Sequence, residues 1–292
     1  MAPGQKAYAC GQCLPCRINK KRIWTHRIML EASLRSDNAF VTLTYSDDNI
    51  PGDASLRPED GTLFLKRLRK SIEPLKIRYF IVGEYGEKTE RPHYHVALFG
   101  YSGCYRGRTN PNRNGNCCDA CDRVRREWKL GNVYLGDITA ESASYIAGYV
   151  TKKLTAKDDE RLGGRHPEYA RMSLRPGIGA DFIDEMASTL LQHNLEHEND
   201  VPNQLQHGRR KLPLGRYLTR RLRERTGNAP EAPEEVQMEA QMEVQELWKE
   251  AQETVSVGFR QAYVKARLLE MSEGKYQQIV GRYRRLKKKE VL

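Results

Sequence analysis

Arg91-Pro92-His93-Tyr94-His95-Val96-Ala97-Leu98-Phe99 alternates, after its proline, as a β-strand does. Successive side chains of a strand point to opposite faces, so His93, His95, Ala97 and Phe99 share one face and Tyr94, Val96 and Leu98 the other. Two imidazoles two residues apart can hold one cation from the same side. The competing reading is an ordinary strand with two partly exposed histidines, and the surrounding sequence has to separate the two. Ile77 to Val82 is a β-branched and aromatic run, and the short polar segment Gly83-Glu84-Tyr85-Gly86-Glu87 joins it to the histidine strand, which predicts a hairpin. Mg²⁺ prefers oxygen ligands and Mn²⁺ accepts imidazole more readily, so a carboxylate beside the histidines is expected. Glu84, directly after the end of the first strand, is preferred; Glu87 and the more distant Asp47 are its rivals.

Working outward, Ala39 to Tyr45 is a further strand, closed by the polar turn Ser46-Asp47-Asp48-Asn49. Arg17 to Leu34 has helical periodicity, with Arg17, Lys20, Lys21 and Arg22 in its first turns, either against phosphates or as a solvated face. Leu63 to Ile72 is a second helix, ended by Pro74. On the other side, residues 101–126 are rich in Gly, Asn, Arg and Cys and predict a long basic loop. Asn132 to Ile138 is a strand, and Thr139 can cap a helix running to about Leu154. The order helix, strand, helix, strand, strand, loop, strand, helix predicts an α+β fold with a mainly antiparallel central sheet flanked by helices. Past Ala156 the periodicity weakens. Asp181 to His193, Tyr217 to Arg225, Glu234 to Glu253 and Phe259 to Leu286 read as helices, the last running into Arg284-Arg285-Leu286-Lys287-Lys288-Lys289. The expected division is a domain over 1–200 and a mostly helical, basic and acidic C-terminal extension over 201–292.

On the helix begun by Thr139, Tyr145, Tyr149 and Lys152 fall in one narrow sector. Ala143, Ile146, Ala147, Val150 and Leu154 form a separate apolar stripe, so the helix has a core face without either tyrosine. Two packing tyrosines at i and i+4 remain the plainer alternative. A phenol is a weak nucleophile near neutrality, but beside a cation it can attack phosphorus and form a covalent intermediate. Lys152 stands where it could orient the phosphate, and Lys153 joins Arg17, Lys20 and Lys21 as candidate DNA contacts.

The chain has 292 residues and a formal net charge of +11, which favours a polyanionic partner, most simply nucleic acid. No apolar run approaches the length of a membrane span, and Met1 to Lys6 lacks a signal pattern. A cytoplasmic setting is therefore expected, where the seven cysteines are thiols or metal ligands rather than disulfides. Cys10-Gly-Gln-Cys13-Leu-Pro-Cys16 has metal-ligand spacing, as do Cys118 and Cys121. A structural Zn²⁺ shared by Cys10, Cys13, Cys16, Cys118 and Cys121 is one reading; reduced thiols in two independent loops are the other. There is no Gly-x-x-x-x-Gly-Lys-Ser/Thr phosphate loop.

His93-Tyr94-His95 resembles the His-hydrophobe-His motif of the HUH endonucleases, Phe40 to Tyr45 is similar to their first motif, and Tyr145-Ile-Ala-Gly-Tyr149-Val-Thr-Lys152 to their tyrosine motif. Cys10 to Arg17, Gly83-Glu84-Tyr85-Gly86 and Arg91 to His95 look like the replication initiators of microviruses, in the gokushovirus branch. The resemblance covers Cys10 to Leu154. It implies a ferredoxin- or RRM-like sheet and an enzyme that nicks and joins phage DNA at its origin, acting on single-stranded and origin DNA in the host bacterial cytoplasm. It further implies Tyr149 as attacking nucleophile, Tyr145 as the second, Lys152 assisting, and Mg²⁺ or Mn²⁺ on His93, His95 and Glu84. A host helicase and polymerase would be partners. One departure is Gly148, where some two-tyrosine relatives carry lysine. A non-catalytic zinc-containing nucleic-acid-binding protein, and a transposase or relaxase of the same chemistry, are the alternatives.

Overall fold

The histidine strand lies at the centre of a five-stranded sheet with every pairing antiparallel and the order β4-β1-β3-β2-β5. The computed structural model describes residues 11, 13–112, 114–149, 160–195, 200–208, 210–239 and 241–289. In chain order the sheet and its first layers are α1 (Leu14–Ser33), β1 (Asn38–Tyr45), α2 (Pro58–Ser71), β2 (Arg78–Tyr85), β3 (Pro92–Phe99), α3 (Asp119–Trp128), β4 (Gly131–Gly136), α4 (Ala140–Tyr149) and β5 (Tyr169–Met172). There follow α5 (Ala180–Gln192), the hairpin β6 (Gln204–His207) and β7 (Arg210–Pro213), and α6 (Gly215–Arg225). Helices α7 (Glu234–Glu239), α8 (Met242–Thr254) and α9 (Arg260–Lys289) complete a helical C-terminal region. The fold is thus α+β, with an antiparallel sheet flanked by helices.

The period-two patterning sorts the two faces. Val41, Leu43, Ile81, Tyr94, Val96 and Leu98 pack on one side against Phe64, Leu65 and Leu68 of α2 and Val124 and Trp128 of α3. Phe80, Val82, Ala97 and Phe99 pack on the other against Ile28 of α1 and Ala143, Ile146 and Ala147 of α4. Burying a side chain of this size contributes about 1.5–3 kcal/mol, so both helical layers are held mainly by these contacts. Helix α1 also sends Leu30 into a third cluster with Ala180, Ile183, Leu214, Leu218 and Leu222, which draws on residues either side of position 200. Buried Glu31 of α1 ties that layer to the sheet: it accepts from Arg78 Nε at 2.7 Å and from the Gly179 amide at 2.8 Å.

Several elements depart from the periodicity. α2 begins at Pro58, a turn before Leu63; proline suits the first helical turn, and Glu59 and Asp60 complement the helix dipole there. β2 extends to Tyr85, so Glu84 lies inside the strand and pairs with His93, not after the strand's end. The segment 101–126 is not loop throughout, since α3 begins at Asp119. Tyr169 to Met172, expected as turn, is the edge strand β5. The acidic run from Glu234 divides into α7 and α8. Among the described residues, no helix is long and apolar enough to cross a membrane.

Candidate active site

The register brings the carboxylate and the two imidazoles together. Glu84 on β2 pairs with His93 on β3, and Thr42 on β1 pairs with His95 from the other side. Glu84 Oε1 lies 2.7 Å from His93 Nε2 and 2.9 Å from His95 Nε2. Glu84 and His95 are buried, and the three ligand atoms lie within 4.8 Å of one another. The two rivals for the carboxylate are elsewhere: Asp47 pairs with Arg91 at 2.8 Å, and Glu87 is exposed.

The outer nitrogens are fixed by the neighbouring strands. His93 Nδ1 is 3.1 Å from the Arg91 carbonyl, an acceptor only, so that nitrogen carries its hydrogen. In a neutral ring the Nε2 lone pair then faces the Glu84 carboxylate, an arrangement that needs a proton or a cation between the two. His95 Nδ1 is 3.0 Å from Thr42 Oγ1, which can accept in the same way. Two imidazoles with anchored Nδ1–H groups and Nε2 atoms converging on one buried carboxylate fit a divalent cation that accepts nitrogen and oxygen.

The tyrosine helix covers the same face. The Thr139 hydroxyl accepts from the Ser142 amide at 3.2 Å, and Ser142 Oγ accepts from the Thr139 amide at 2.8 Å, a reciprocal cap at the start of α4. Ala143, Ile146 and Ala147 seat the helix on the sheet. Tyr149 then stacks on His95, with ring centroids 5.3 Å apart and planes 11° from parallel. Tyr145 meets His95 edge-on at 5.1 Å and Tyr149 at 4.9 Å. Phe40 of β1 stacks on the far side of His95 at 5.6 Å and touches Tyr145 edge-on. Tyr145 is 49% exposed, whereas Tyr149 lies deeper. Burial first, then the charge of Glu84 and the hydrogen bond to Tyr145, push the Tyr149 phenol well above the ordinary tyrosine range.

The basic candidates divide. Lys21 on α1 places Nζ 3.6 Å from where a Cβ at Gly148 would stand, so an ammonium from another helix sits beside the residue preceding Tyr149. Lys20 is exposed, and Arg17 keeps its Nε buried with no hydrogen-bond partner among the described residues. Lys152, Lys153 and Cys10 lie outside the described residues. The cysteines that gather are Cys118 and Cys121 with Cys104 and Cys117; Cys13 and Cys16, at the start of α1, are not in that group. Phe40 and Thr42 escape a reading of the sequence, although alternation along β1 already puts both on the histidine face once β1 and β3 are paired.

An antiparallel sheet with a His-x-His strand, an acidic partner strand and a tyrosine helix on the same face is the arrangement against which known proteins can be compared. The family model for the replication-associated protein ORF2 and its relatives matches residues 38–154, which contain β1 to α4 and all of these sheet and α4 side chains. The chain is 36% identical over 188 residues to replication-associated protein VP4 of Bdellovibrio phage phiMH2K, covering 61% of this chain and 58% of that one. It is 34% identical over 221 residues to replication-associated protein ORF2 of Spiroplasma virus 4, covering 73% and 67%. A third relative, replication-associated protein ORF4 of Chlamydia phage 1, is 31% identical over 181 residues, 60% of this chain and 45% of the relative. The chain belongs to this family of phage replication-associated proteins, in its microvirus-like branch. No solved structure matches it significantly.

Proposed function

We propose that this protein initiates rolling-circle replication by nicking phage DNA at the origin and rejoining it through a 5′-phosphotyrosine. The observation that carries the reading is the meeting of both tyrosine rings with His95 on one sheet face, beside Glu84 and His93. Family membership supports a role in replication.

In this reading His93, His95 and Glu84 hold Mg²⁺ or Mn²⁺, which when bound polarises the scissile phosphate and offsets charge on its leaving oxygen. The protein's own residues do the rest. Thr42 and the Arg91 carbonyl keep the two imidazoles turned with Nε2 inward. Phe40 and His95 form a stacked wall against which Tyr149 is aligned. The Tyr149 oxygen attacks phosphorus, a Tyr–O–P bond forms and the P–O3′ bond breaks. The phenolic proton is lost to solvent and the released 3′-oxygen takes one up, leaving a 3′-OH for a host polymerase. Because the phosphoester is kept, a 3′-OH can attack it and reseal the strand. Tyr145 serves as second nucleophile, and Lys21, with Lys152 from the tyrosine motif, neutralises the phosphate. Strand separation falls to a host helicase.

The test is a single-stranded origin oligonucleotide carrying a bridging phosphorothiolate at the cleavage site, incubated with the full chain and Mn²⁺ and resolved under denaturing conditions. A covalent adduct is expected that maps to Tyr149, disappears in Tyr149→Phe and persists in His166→Ala. An adduct that survives loss of both tyrosines, or tight origin binding with no adduct under any metal, rejects the enzyme in favour of a DNA-binding protein without catalysis.

A further inference from the structure

On the sheet face opposite the histidines, four cysteines from one short stretch meet. Cys104 Sγ lies 3.7 Å from Cys117 Sγ and 3.8 Å from Cys118 Sγ, and with Cys121 all four sulfurs lie within 4.8 Å of one another. All four are free thiols, and a disulfide would require sulfurs at about 2.05 Å. Four thiolates placed tetrahedrally around zinc at about 2.3 Å stand about 3.8 Å apart, the spacing of the Cys104 pairs. We propose that Cys104, Cys117, Cys118 and Cys121 bind one structural zinc ion in a closed four-sulfur centre.

The surroundings favour thiolate. The Asn110 amide donates to Cys117 Sγ at 3.2 Å, and the Thr109 hydroxyl lies 3.3 Å from Cys121 Sγ. Cys118 stands at the N-cap of α3 and Cys121 in its first turn, where the helix dipole favours negative charge. Cys104, Cys118 and Cys121 are buried and only Cys117 is half-buried, so the centre has no open side for a substrate. That is the mark of a structural site rather than a catalytic one.

The segment needs such a clip. Residues 101–118 contain no helix or strand, yet they lie along the edge strand β4: Arg108 forms a bridge with Gly136, the Thr109 amide donates to the Leu135 carbonyl at 3.0 Å, and Thr109 Oγ1 accepts from the Leu135 amide. An irregular segment of this length gains little from its own burial, and an unpaired sheet edge is a liability. The centre joins the start of the segment, Cys104, to its end at α3. Helix α3 in turn carries Trp128, whose ring lies 5.6 Å from Tyr94 between the two histidines, and whose Nε1 donates to the Thr44 carbonyl at 3.0 Å. The ion therefore braces the underside of the strand that holds the histidines without touching the chemistry.

The test measures metal in the full chain purified under reducing conditions. One zinc per chain is expected, resisting the mild chelation that removes Mn²⁺ and released on titration of thiols with a mercurial. Cobalt(II) added to the apo chain should give the intense red-region bands and near-ultraviolet charge transfer of a tetrahedral thiolate site, saturating at one equivalent. Cys118→Ser and Cys121→Ser should lose the metal; Cys13→Ser with Cys16→Ser should keep it. The cobalt titration is made on the unsubstituted chain, so it stands even where a serine variant fails to fold. A chain free of zinc with no tetrahedral cobalt spectrum, iron in place of zinc, or metal lost only with Cys13 and Cys16 overturns the proposal.

Discussion

Thr42→Val isolates the one hydroxyl that orients a candidate metal ligand. The change is close to isosteric, and Thr42 touches His95 through Oγ1, 3.0 Å from Nδ1. In the ligand-competent tautomer Nδ1–H donates to that oxygen and Nε2 presents a lone pair beside Glu84 Oε1, 2.9 Å away. With valine at 42 the buried Nδ1–H has no acceptor there, a cost of about 1–3 kcal/mol. The ring can escape it by moving its hydrogen to Nε2, where it donates to Glu84 and no longer offers a lone pair to a cation. Binding a divalent ion must reverse that step, so affinity should fall by the same energy, or about 5- to 100-fold at about 1.4 kcal/mol per tenfold. Loss of free Mn²⁺ resonance signal on titration with protein measures this directly, without reference to DNA cleavage, and the Mn²⁺ concentration for half-maximal cleavage should shift in parallel. Thr44→Val is the control: its hydroxyl makes only a 3.5 Å contact to the exposed Asn132 carbonyl, and the change should stay within about threefold. A Thr42→Val chain that folds normally and binds Mn²⁺ as tightly as the parent refutes the reasoning.

Lys21→Gln should weaken binding to single-stranded DNA and flatten the plot of log affinity against log salt by about 0.7, the release of one counterion; an unchanged slope would detach Lys21 from the phosphate path. Gly83→Ala should lower stability by about 1–3 kcal/mol, because its new Cβ would lie 2.5 Å from Cε1 of the Tyr169 ring packed over β2; a melting temperature equal to the parent's contradicts this. The buried His26 ring accepts from His207 at 2.8 Å, holds Pro213 O at 2.9 Å, and has its pKa pushed down from 6.5 to about 4, chiefly by burial. A histidine depressed in the folded state stabilises above pH 6.5 and loses that contribution as pH falls toward 4, by at most about 3 kcal/mol; His26→Gln should show a shallower acid limb in urea unfolding, and an identical one would remove His26 as its source.

The parts of this molecule legible in its sequence are those where one periodicity does one job. β3 alternates cleanly because both of its faces are buried under helices, and α4 separates its apolar stripe from its tyrosines because only the stripe meets the sheet core. Glu84 could be named but not placed: Gly83 interrupts the β-branched run, and the strand continues past it only because β3 supplies hydrogen-bond partners up to Tyr85. β5 has no pattern of its own and exists because the outer edge of β2 pairs with it. α3 was hidden by its cysteines. Counted as apolar, Cys121, Val124 and Trp128 stand at i, i+3 and i+7, a helical face of three buried residues. The cysteine grouping depends on α3 folding back along β4, and the Lys21–Gly148 approach on how α1 crosses α4. No local spacing encodes either.

The sheet order has a kinetic consequence. β3 is flanked on both sides, by β1 and β2, so it can open only when the whole ladder does. Amides of His93 to Leu98 should be among the last to exchange with deuterium, and the imidazoles they carry form a fixed anvil. Whatever swings aside to release a finished strand and admit the next must therefore be the roof above, where α4 rests on small alanines that let it slide, and not the floor.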